Sequence, residues 1–136
     1  MQACNWAIEQ LPGLKEQELT QLSACGITTT HQLLSHTRTP EMKDDLAGQL
    51  QLHSQHLNKW VALADLSRLP SVGCEYCGIL LHSGVASVSQ LSQTPAHRLH
   101  RQILKMQVAT LQRRDLCPSV NEVQNWVREA QSTQRN

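Results

Sequence analysis

Residues 8–33 read IEQLPGLKEQELTQLSACGITTTHQL, and residues 66–91 read LSRLPSVGCEYCGILLHSGVASVSQL. Laid one over the other, Leu11/Leu69, Pro12/Pro70, Leu22/Leu80, Gly26/Gly84, Gln32/Gln90 and Leu33/Leu91 are identical. Ile8/Leu66, Leu14/Val72 and Ile27/Val85 agree in character. These positions set backbone geometry, so the pattern predicts a structural unit used twice. In each copy a short helix ends at the Leu-Pro pair, because proline disfavours helical geometry in the residue before it. Gly13 in one copy, and Ser71 with Gly73 in the other, permit a tight turn. A second helix then spans about Glu16 to Cys25, or Cys74 to Ser83, with Leu19 and Leu22, or Cys77, Leu80 and Leu81, as apolar positions. Gly26 and Gly84 stand where a left-handed residue stops a helix, and Ile27 and Val85 are placed for the accompanying apolar contact. Thr29-x-x-Gln32 and Ser87-x-x-Gln90 then fit the capping box that starts the next helix.

The same signals extend outward. Thr39-Pro40 and Thr94-Pro95 each read as an N-cap followed by proline at the first helical position. A helical stretch from Pro40 to about Leu66 carries Leu46, Leu50, Leu57 and Val61, and another covers 96–115. Ser119-x-x-Glu122 opens a last helix through Trp126 to Ala130, after which QSTQRN is expected to fray. The expected architecture is all-α, with a first unit over 1–65 and a second over 66–136 packed into one compact globule. Trp60 is expected on the helix joining them, helping to close a shared core.

Composition agrees with this class. Twenty leucines dominate the apolar content, with no Phe, a single Tyr (Tyr76) and three Trp, so strand-forming residues are scarce. No apolar run approaches the ~20 residues of a membrane span, and MQACNWAIEQ lacks a basic-then-apolar signal, so the chain reads as cytoplasmic. The net charge of +1 hides an asymmetry. Residues 1–65 hold four Lys/Arg against seven Asp/Glu, and residues 66–136 hold eight against four. The basic half can pair with the acidic half or offer one face to an anionic partner. Five cysteines, an odd number, argue for free thiols rather than a disulfide framework.

The pattern L-P-x-apolar-G, a short helix, then G-[IV]-x-[ST]-x-x-x-L resembles helix-hairpin-helix domains. Segments 8–33 and 66–91 are similar to those of RuvA-type proteins, of the amino-terminal domain of strand-exchange recombinases, and of the carboxy-terminal domain of bacterial RNA polymerase α. From Trp6 to Ala130 the chain resembles more closely a bacterial family of tandem helix-hairpin-helix proteins of unknown function. The resemblance implies a fold and, in the nucleic-acid-binding relatives, a hairpin whose backbone N–H groups face a phosphate. Here that role falls on Ser71, Val72 and Gly73 of the second hairpin. The second copy keeps only the later glycine of the turn and the first only the earlier, Gly13.

Side-chain chemistry adds one surface. On the helix of 96–114, Arg101 and Lys105 fall within about 60° of Arg98, forming a narrow basic strip that Arg113 and Arg114 extend. This strip suits a phosphate backbone or an acidic protein face. Cys74-x-x-Cys77 reads first as core packing, since Cys77 aligns with the apolar Leu19; a zinc or redox role is the alternative. His53/His56 and His97/His100 are helical i,i+3 pairs without further ligands at metal-binding spacing, so no metal site is assigned. No nucleophile elbow, P-loop or paired catalytic carboxylate appears, and neither a cofactor nor a small-molecule substrate is indicated. The expectation is a non-enzymatic interaction module docking to a protein partner, with sequence-nonspecific nucleic-acid binding as the alternative.

Overall fold

The structure is a computed structural model that describes residues 4–110 and 118–135, with side chains for 4–106 and 118–133. These residues are all-α. A 3-10 turn at Ile8–Gln10 precedes α1 (Glu16–Ala24), α2 (Thr30–Ser35), α3 (Pro40–Leu50) and α4 (Ser54–Leu66). There follow α5 (Gly73–His82), α6 (Val88–Ser92), α7 (Ala96–Thr110) and α8 (Val120–Arg135). Among the described residues the only strand-like pairing is an isolated bridge between Ala7 and Thr29.

The stop-and-restart signals act at both expected places. Gly26 and Gly84 take φ of 81° and 95°, a left-handed geometry that costs glycine little. The following N–H groups fold back over the helix end: Ile27 donates to the Leu22 carbonyl and Val85 to the Leu80 carbonyl, each at 2.9 Å. All four of those side chains are buried, so each helix end is sealed by an apolar clasp. Thr29 Oγ1 then accepts from the Gln32 N–H at 3.2 Å, and Ser87 Oγ from the Gln90 N–H at 3.0 Å. Each glutamine reaches back, to the Thr29 N–H at 3.2 Å and to the Ala86 N–H at 2.9 Å. Such a cap contributes about 1 kcal/mol.

The short helix expected before Leu11-Pro12 is only the 3-10 turn Ile8–Gln10, and further boundaries also differ from the sequence expectation. The helical stretch from Pro40 to Leu66 is broken: Gln51 adopts φ 55° and ends α3, and His53 caps α4 through Nδ1, which accepts from the Gln55 N–H at 3.2 Å. Thr94 does not cap α7; its hydroxyl donates to the Gln90 carbonyl at 2.7 Å, and the helix starts one residue later, at Ala96. The last helix runs to Arg135 rather than fraying after Ala130. There the Gln131 side chain donates to the Ser92 carbonyl at 3.2 Å and anchors the extension to α6.

Helix α4 is the hub, packing on α2, α3 and α5, while α8 lies against α6 and α7. Leu57, Trp60, Leu63 and Leu66 of α4 are buried, so this helix carries Trp60 into the core. Trp126 of α8 is 1% exposed and stacks at a tilt on Tyr76 of α5, ring centroids 5.0 Å apart. Near the N-terminus, Trp6 Nε1 donates to the Ser67 carbonyl at 2.7 Å, and the Cys4 N–H donates to the Arg68 carbonyl at 2.8 Å. The first residues described are thereby tied to the end of α4.

Candidate interaction surfaces

The turn between α4 and α5 carries Ser71, Val72 and Gly73. Gly73 has φ 52°, and a Cβ there would stand 3.2 Å from Cζ2 of Trp6, so the ring closes over the backbone. Val72 is 1% exposed. The Ser71 N–H donates to Glu129 Oε1 at 3.0 Å, and the Ser71 hydroxyl is bonded to the same carboxylate. Asn125 Nδ2 donates to Ser71 Oγ at 2.9 Å, and Trp126 Nε1 to the Ser71 carbonyl at 3.1 Å. Each polar group of Ser71 is thus engaged by α8. A carboxylate of the chain itself occupies the position at which that turn would offer its N–H to an anion.

On α7, Leu99 and Ile103 are buried while Arg98, Arg101 and Lys105 are exposed. Helical spacing of three and four residues puts these cations on one face, as the sequence predicts. Among the described residues the only ion pair is Arg68–Asp65 at 2.8 Å, so all three charges lack an internal counter-ion there. Arg98 and Gln102 border a recess of about 240 Å³ that also touches Gly84, Gln90 and Pro95. Arg113 and Arg114 lie outside the described residues.

A third surface is not signalled by the sequence. The first turn, at Gly13, has φ 85° with open space beside its α-carbon. It borders a cleft of about 360 Å³ floored by Trp60 and Leu63 and edged by Lys15, His56, Lys59 and His82. His56 and Lys59 share a face of α4 by their spacing, but Lys15 and His82 join them only through tertiary packing.

Residues 12–133 match the family described as Domain of unknown function (DUF4332). The chain belongs to that family. No curated protein and no solved structure matches it. The matched DUF4332 segment contains both turns, the described cations of α7 and the Glu129 carboxylate, so all three surfaces lie within the domain.

In the cysteine pair of this DUF4332 chain, Cys77 faces the core and Cys74 is half-buried. Cys77 is fully buried, and burial pushes its thiol up to about 12 by disfavouring the thiolate, reinforced by the charge of neighbouring Cys74. Burial also raises Cys74. A redox cysteine needs the opposite shift. Cys117 lies outside the described residues, and among the described ones no three His, Cys, Asp or Glu side chains are grouped to hold a metal.

Proposed function

We propose that the chain is a non-enzymatic interaction module built from two helix-hairpin-helix units, docking through Arg98, Arg101 and Lys105 to an acidic face of a protein partner. The observation that carries this reading is the Glu129 carboxylate on the Ser71 N–H. It engages the Ser71 N–H and sets a carboxyl group beside the turn, while the Val72 and Gly73 N–H groups donate to the Leu69 carbonyl. The cations of α7 are exposed and, among the described residues, lack internal partners, which favours an anionic surface. Three such charges give modest electrostatic steering, in keeping with an acidic protein patch. Affinity co-purification from the native host should retain a partner with the wild type and lose it with R98E/R101E/K105E. Retention by the triple variant would remove α7 from the interface.

The same free cations support nucleic-acid binding as a second reading. Electrophoretic mobility shift at low salt, with duplex and single-stranded DNA, separates the two. The primary reading expects no retardation. Retardation that R98E/R101E abolishes, with a log–log salt slope of about −2.7 on duplex, would favour nucleic acid.

A further inference from the structure

We infer that the cleft between the first turn, α4 and α5 is a binding site for a small organic phosphate, separate from the α7 surface. Its volume of about 360 Å³ lies within the common range of ligand pockets, about 300–1,000 Å³. It opens beside a second depression of about 350 Å³ that shares His56, Lys59 and Leu81 with it. The floor is apolar: Trp60 and Leu63 are each 5% exposed. The edge carries four nitrogen side chains, Lys15 from the first turn, His56 and Lys59 from α4, and His82 from α5. All four are exposed, and among the described residues none of these side chains makes an ion pair. One carboxylate, Glu18, also borders the cleft, and its Oε1 already accepts the Lys15 backbone N–H at 2.9 Å.

Two ammonium groups with two imidazoles, set against one engaged carboxylate, select for a compact head of more than one negative charge. The apolar floor selects for an attached flat or aliphatic body. A phosphomonoester combines both, and the lysines bind phosphate as point charges. An inorganic ion leaves the floor uncovered, and a monocarboxylate presents half the charge.

Isothermal titration calorimetry at low salt tests this with phenyl phosphate, inorganic phosphate and benzoate. Phenyl phosphate is expected to bind saturably, at least tenfold more tightly than either of the others. K15E/K59E is expected to weaken it at least tenfold with an unchanged melting temperature, because both lysines project into solvent. R98E/R101E should bind like the wild type. Absence of saturable heat with phenyl phosphate up to about 10 mM, an affinity near −2.7 kcal/mol, would overturn the inference. So would equal affinity in K15E/K59E, or benzoate binding as tightly as phenyl phosphate.

Discussion

Glu129 of α8 meets Ser71 in the turn after α4, and two further α8 side chains, Asn125 and Trp126, close on the same serine. Removing the Glu129 side chain leaves the part-buried Ser71 N–H without its acceptor, and the partial exposure of the contact reduces its worth. Glu129→Ala should therefore lower the unfolding free energy by about 1–2 kcal/mol in urea denaturation. An unchanged midpoint would show the contact to be idle. Cys77 offers a second residue-level test. With its pKa raised to about 12, the thiol stays protonated across the neutral range and becomes reactive only as pH approaches that value. At pH 8 alkylation of the native chain should spare Cys77 until denaturant is added; labelling as fast as Cys4 would contradict its burial. Cys77 is legible in the sequence, since its register matches Leu19. Glu129 is not, because the pairing depends on how α8 lands against a turn far away in the chain.

Helix boundaries are readable where a residue type has one strong preference. Gly26, Gly84, Thr29, Ser87 and Ser119 all act at the places their chemistry dictates. Gln51 is not readable: a left-handed glutamine is uncommon, and no glycine or proline marks the break between α3 and α4. A glycine in the interior of a helix and one at a left-handed helix start should respond in opposite ways. Gly48 lies within α3 with nothing within 4 Å of an added methyl, so Gly48→Ala should raise stability by about 0.5–1 kcal/mol. Gly73→Ala should lower it by roughly 1 kcal/mol or more, since its φ of 52° and the Trp6 ring both oppose a side chain. Thermal melting of the two variants checks the signs, and a stabilised Gly73→Ala would mean that Trp6 does not close over the turn.

At the scale of the molecule, three tryptophans fasten the chain at three places. Trp60 lies in the central helix, Trp6 holds the N-terminal segment to the end of α4, and Trp126 holds α8 to α5 and the second turn. Trp126→Ala should cost about 3–5 kcal/mol, the range for removing a large buried aromatic side chain. Trp126→Phe keeps most of the apolar contact, loses the bond to the Ser71 carbonyl, and should cost less; urea denaturation of the pair checks the order. No helix among the described residues is long and apolar enough to cross a membrane. The all-α class and the exposed strip on α7 follow from composition and periodicity, whereas the cleft edged by Lys15 and His82 arises only when α5 packs beside the first turn.

Binding through the exposed cations of α7 is tested most directly by placing a photoreactive amino acid at Gln102, which is exposed beside Arg98, Arg101 and Lys105. Irradiation in the native host should give a discrete adduct that protease destroys beyond the chain's own mass and nuclease leaves intact, and that R98E/R101E/K105E abolishes. An adduct removed by nuclease, or one that persists in the triple variant, would contradict protein docking through this surface.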